Sequence, residues 1–147
     1  MTDELKDFFK SKGIKKIIPE FNQSQEQQIQ IIIENVYKPV FTELSEELSS
    51  FANIRADMMV SKRTMDSIKE EIELKVYRTM QAKFFYRPKF LVENNDIFVI
   101  GQFCIPNFYG EGITYRDTEF KRIITDINEV AIKDDFMKAF TENVDLK

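Results

Sequence analysis

The chain has no histidine and no tryptophan, and it has one cysteine, Cys104. Without histidine there is no Ser-His-Asp triad, no Cys-His dyad, no imidazole general base and no imidazole metal ligand. A lone cysteine excludes an intramolecular disulfide and a thiolate cluster for zinc or iron–sulfur, and it fits a reducing compartment. Any bound metal would be a hard ion on carboxylates and carbonyls. The acids that cluster in sequence (Asp66, Glu70, Glu71 and Glu73, then Asp134 and Asp135) lack EF-hand spacing and read as solvated charge or a helix start. The expectation is no metal and no cofactor. Cys104 lies between Phe103 and Ile105 with no histidine to activate it, so it reads as a core or sheet-face thiol.

Glycine and proline are also scarce, four of each, which argues against a long flexible linker. No apolar run reaches the ~18–20 residues that cross a bilayer. Residues Met1-Thr2-Asp3-Glu4-Leu5 lack the apolar stretch of a signal peptide. The expected location is cytoplasmic, away from membranes.

What is present fits a folded domain. Over 147 residues the chain is 43% hydrophobic and carries 14 phenylalanines, enough to build a core at a length where about 70% of the unfolded surface is buried on folding. The net charge of −4 opposes non-specific binding to polyanions.

Residues 3–12 predict a short helix, with Thr2 as N-cap, Leu5, Phe8 and Phe9 on its buried stripe, and Gly13 as the left-handed stop before Ile14. Ser24 and Gln27 have capping-box spacing at the head of a long helix. Its apolar positions are Ile29, Ile33, Val36, Tyr37, Val40, Leu44, Leu48 and Phe51. Pro39 predicts a kink in that helix, or two helices with Pro39 opening the second.

Residues 54–61 alternate as a strand would, with a continuing helix as the competing reading. Residues 62–70 read as a turn. Residues 71–92 are rich in strand formers. Asn94-Asn95 reads as a two-residue hairpin turn that pairs Val92 with Ile97, Phe90 with Val99 and Tyr86 with Phe103. One sheet face then collects Tyr86, Phe90, Val92, Ile97, Val99, Phe103 and Ile105, which reads as core. The other collects Phe85, Arg87, Lys89, Leu91, Phe98, Ile100, Gln102 and Cys104.

Residues 106–118 read as the longest loop. Phe120, Ile123, Ile124 and Ile127 return to helical spacing behind Thr118, while the Ile-Ile-Thr run keeps a strand open. A last helix is expected over 134–144, with Asp134 and Asp135 at its start and Phe136, Met137, Phe140 and Val144 buried. The whole, residues 1–147, reads as one α+β domain: N-terminal helices, one of them long and interrupted at Pro39, packed on an antiparallel β-meander, with a C-terminal helix.

Two stretches carry candidate sites. Between Leu74 and Val92 there are five basic residues and no acid, interleaved with aromatic rings. Lys83, Phe85, Arg87, Lys89 and Phe98 on one face would suit a single-stranded nucleic acid, with cations for phosphates and rings for bases. A half-solvated sheet face explains the same residues, and the acidic balance favours that explanation. The 106–118 loop carries Tyr109, Glu111, Tyr115 and Arg116, which together with Tyr86 form a candidate ligand-binding set. Gly110-Glu111-Gly112 is not a phosphate loop, because no Lys-Ser/Thr follows and the acid repels phosphate.

The functional expectation is a non-catalytic protein-interaction module, such as a small acidic adaptor, inhibitor or immunity-type protein, with a protein partner as yet unnamed. The wide apolar band at Ile31, Ile32 and Ile33 reads first as a helix buried on two sides, with one of the three as a homodimer contact the alternative. Binding of a small apolar ligand in an aromatic-lined pocket between helix and sheet is the first alternative. Single-stranded nucleic-acid binding is the second. An enzyme using Glu, Asp, Tyr or Lys chemistry has no site that the sequence locates.

Overall fold

In the computed structural model the described residues are 3–14, 21–62, 70–106 and 114–146. Helix α1 spans Asp3–Ser11. Gly13 ends it at φ 73, with its N–H on the Lys10 carbonyl and the Ile14 N–H on the Phe9 carbonyl. This is the glycine-stopped terminus that the sequence predicts. The burial differs from expectation. Leu5, Phe8, Phe9 and Ile14 are 43–55% exposed, because nothing in the described chain covers the apolar face of α1. Thr2 lies outside the described residues.

Helix α2 is Gln23–Ile32. Its cap is Asn22 rather than Ser24. The Asn22 side chain accepts from the Gln25 N–H at 2.8 Å, and the Gln25 side chain accepts from the Asn22 N–H at 3.0 Å. Asn22 and Gln25 have the same capping-box spacing as Ser24 and Gln27, two residues earlier. A π-helical turn, Ile33–Tyr37, joins α2 to α3, Lys38–Ser49, with Pro39 in the first turn of α3. Proline has no N–H to give and its ring crowds the carbonyl four residues back. The chain answers by widening the preceding turn, and the Lys38 N–H donates to the Ile33 carbonyl. Ile29, Ile33, Tyr37, Val40, Phe41 and Leu44 form the buried stripe of this interrupted helix. Phe51, expected on that stripe, lies beyond Ser49 and is 62% exposed.

Five antiparallel strands follow in meander order: β1 Ile54–Lys62, β2 Glu70–Arg78, β3 Gln81–Glu93, β4 Asp96–Cys104 and β5 Arg116–Ile123. The expected turn at 62–70 falls mostly outside the described residues. Asn94 and Asn95 take φ of 51 and 68, so both central residues of the β3–β4 turn are left-handed, as a primed hairpin turn requires. Val92 faces Ile97, Phe90 faces Val99 and Tyr86 faces Phe103, as the spacing predicts.

The stretch after residue 115 pairs as strand β5 on β4, and only Ile124–Asp126 coil into a 3-10 turn. Thr118 is therefore not a helix cap; its hydroxyl donates to the Gly101 carbonyl at 2.8 Å. The last helix, α4, is Glu129–Asn143, capped by Asn128, whose side chain accepts from the Ala131 N–H at 2.9 Å. It starts earlier than expected, so Asp134 and Asp135 lie inside it and Met137 is exposed.

Helices α2, α3 and α4 cover one face of the sheet. The core between them includes Leu74, Val76, Phe84, Tyr86, Phe90 and Phe103 from the strands and Ile29, Phe41, Ile132 and Phe136 from the helices. Phe84 stacks on Phe103 at 5.6 Å and meets Phe136 edge-on at 6.0 Å. Ile105, expected on this face, is exposed just past the end of β4. Asp135 enters the core side of α4 paired with Arg122 of β5 by two bonds of 2.8 Å. Gln30, Lys38 and Glu70 clasp the helix to the start of β2. Gln30 donates to the Glu70 carboxylate at 2.6 Å and accepts from its N–H at 2.8 Å, and Lys38 reaches the same carboxylate at 3.1 Å.

Candidate functional site

Among the described residues no helix packs on the opposite face of the sheet. Side chains alternate along a strand, so the residues between the core positions point there. Among the described residues four cation–ring pairs cross this face. Arg55 of β1 lies 4.5 Å from the Tyr77 ring of β2, and Lys75 of β2 lies 4.8 Å from the Phe85 ring of β3. Arg87 of β3 lies 3.4 Å from the Tyr115 ring, and Lys121 of β5 lies 4.9 Å from the Phe98 ring of β4.

Hydrogen bonds anchor two of these pairs. The Arg87 guanidinium donates to Gln102 at 3.1 Å, and Gln102 donates to Asp117 at 2.6 Å. Tyr115 precedes β5 and spans the neighbouring strands, so that its hydroxyl donates to the Glu73 carboxylate on β2. Lys121 closes the far corner on Glu93 at 2.6 Å. Tyr115 thus straps β5 to β2 across the Arg87 guanidinium. Burial, and then the bond to Glu73, push the Tyr115 hydroxyl well above the usual phenol range, so it stays a donor.

Cys104 lies in this region at 1% exposure. Burial pushes its thiol up, which leaves it protonated and unreactive at neutral pH. The network therefore contains cations, rings and satisfied carboxylates, without an activated nucleophile in it. No group of three or more Cys, Asp and Glu suited to a metal ion occurs among the described residues.

The sequence-predicted residues divide between the two faces. Phe85, Arg87, Lys89 and Phe98 share the open face, as the hairpin register implies. Lys83 falls where the β2–β3 register shifts, at a bulge that leaves it without an opposite residue. Phe85 is only 7% exposed, beneath Lys75, and Arg87 is committed to Gln102 and Tyr115. Tyr86 lies on the core face at 3% exposure, 5.4 Å from the Phe136 ring, so it and Tyr115 stand on opposite sides of the sheet. Arg116 is exposed opposite Phe103. Tyr109 and Glu111 lie outside the described residues.

Two further residues complete the network: Asp117, one of the polar residues of the 106–118 stretch, and Glu73, which in sequence reads only as part of a solvated acid cluster. Gln102 had been placed on the right face, and its pairing with Arg87 follows from the register. Glu73 is separated from Tyr115 by 42 residues, and no local pattern joins them.

Two open grooves lie elsewhere on the surface. One, of about 530 Å³, runs along the outer side of α2 and the π-turn beside Gln27, Gln30, Ile31, Glu34 and Asn35. The other, of about 350 Å³, lies at the start of α4 beside Arg122, Asn128 and Asp134. Neither has Tyr86, Tyr115 or Arg116 in its described lining. Comparison of the chain with protein-family models, curated protein sequences and solved structures finds no match.

Proposed function

We propose that this protein is a non-catalytic protein-interaction module that meets its partner through the open face of its sheet. The observation that carries the reading is the set of cation–ring pairs seated across all five strands on the face that no described helix covers. Tyr and Arg dominate the energetics of protein interfaces, and side chains already held in place lose little rotamer freedom on binding. A rigid, twisted sheet supplies the scaffold, and a small adaptor, inhibitor or immunity-type protein needs no more than such a surface.

The test compares three immobilised proteins: wild type, the double substitution Arg55→Glu with Lys89→Glu on the open face, and Val130→Glu on α4. A specific protein held by wild type and Val130→Glu but released by the double substitution is the expected result. Equal retention by all three, or no retention by any, refutes the reading.

Nucleic-acid binding by the same face is the second reading, favoured by its alternating cations and rings. Against it, each ring in these pairs already has a cation from its own chain beside it, which a stacking base would have to displace. Binding of a short single-stranded oligonucleotide that weakens steeply with salt and is lost in the Arg55→Glu, Lys89→Glu protein would replace the first reading with this one.

A further inference from the structure

We infer that two copies of this chain associate by exchanging helix α1, the apolar face of each α1 seating in the groove along α2 of the other copy. The two surfaces are complementary and both are open. Helix α1 presents Leu5, Phe8 and Phe9, each 43% exposed or more, and Ile14 just beyond its end. A soluble amphipathic helix whose apolar stripe is left open is a docking element in search of a groove. The groove along α2 and the π-turn offers Ile31, 56% exposed, between Gln27, Gln30, Glu34 and Asn35. Its sibling Ile33 is fully buried in the core and Ile32 is partly buried, which leaves Ile31 as the open one of the three.

Charge agrees with the match. Lys12 has its ammonium 5.7 Å from the Phe8 ring, at the apolar face of α1, and Glu34 stands half-exposed on the wall of the groove, where its carboxylate already accepts from Lys38 of its own chain and has room for a second cation. Size favours a reciprocal exchange. A nine-residue helix is about 13 Å long. One such contact falls short of the roughly 1,200 Å² that stable interfaces bury, whereas a twofold axis makes the contact twice. The six residues between Ile14 and Phe21 reach about 25 Å when extended, long enough to carry α1 away from its own body.

The experiment uses the full chain. Light scattering behind size exclusion at micromolar concentration is expected to give a dimer. Phe8→Glu and Ile31→Glu, both exposed changes that leave the circular dichroism unaltered, are each expected to weaken dimerisation by about tenfold or more. In a second arm, a Phe8→Cys chain is mixed with an Ile31→Cys chain under mild oxidation; Cys104 is buried and does not compete. A disulfide joining the two different chains supports the exchange. A monomer at every concentration, a dimer that survives either substitution, or a crosslink formed only within one chain when both cysteines are placed together overturns it. The Arg55→Glu, Lys89→Glu protein keeps the dimer, so failure of the open-face reading and failure of this one are told apart.

Discussion

Replacing Gly101 with alanine tests how tightly the core is closed around Tyr86. A Cβ built on Gly101 would stand 2.3 Å from the Tyr86 hydroxyl oxygen, 3.0 Å from Cζ and 3.2 Å from Cε2. The first distance is a hard clash. Tyr86 cannot swing aside cheaply, because its ring is held by Phe41 at 6.2 Å, Phe84 at 6.3 Å and Phe136 at 5.4 Å, and Phe136 is itself fully buried. Overpacking of this kind costs about 1–3 kcal/mol. Alanine returns about 0.5–1 kcal/mol through the smaller entropy of its unfolded state. The net expectation is a loss of about 1–2 kcal/mol, or a fall of roughly 3–6 °C in melting temperature for a chain of this size.

The decisive measurement is a double-mutant cycle with Tyr86→Phe, read by urea denaturation. Removing the hydroxyl removes the atom that clashes, so Gly101→Ala should cost clearly less in that background, with a coupling of about 1 kcal/mol. An equal cost in both backgrounds would show that the strain has another source. A Gly101→Ala protein more stable than wild type would refute the close approach altogether.

Two further outcomes follow from the ion pairs. Arg122→Ala strands Asp135, 7% exposed, without its two bonds, and is expected to cost about 2 kcal/mol in urea denaturation. That is less than the ~3–5 kcal/mol of a fully buried pair because Arg122 keeps 36% of its side chain in water; the joint Arg122→Met, Asp135→Leu protein should recover most of the loss. The Glu70 carboxyl is opposed by partial burial but held below its usual range by the bonds from Lys38 and Gln30. A group depressed on folding contributes stability above its unfolded value and loses it as pH falls through the folded one. Wild type should therefore lose more stability than Glu70→Gln between about pH 6 and pH 3, and parallel acid curves would refute the clasp.

Much of the strand region was legible from local chemistry. Asn94 and Asn95 tolerate positive φ, and alternation on either side left one register that buries Tyr86, Phe90, Val99 and Phe103 together. Pro39 announced an interruption, although that it would be met by a π-turn was not written in its neighbours. The β5 segment was ambiguous because Phe120, Ile123 and Ile124 fit either period. Pairing with β4 decided it, and that pairing also turned Arg122 towards Asp135 on α4. For the site, the hairpin register placed Phe85, Arg87 and Phe98 on one face. It did not foretell that Lys75 would cover Phe85 or that Tyr115 would reach Glu73.

What the sequence by itself determined was the inventory of chemistry and the local geometry: no histidine, one cysteine, a glycine-stopped α1, a primed turn at Asn94-Asn95 and a sheet whose two faces differ. These rest on interactions within a few residues, or on a side chain that is present or absent. The tertiary structure alone decided what is covered. Leu5, Phe8 and Phe9 have the same apolar spacing whether buried or open, and the fold leaves them open. Phe85 and Tyr86 are adjacent rings, one under a lysine on the open face and the other sealed beneath Phe136. Burial depends on which distant surface arrives, and periodicity carries the orientation of a face without naming what meets it.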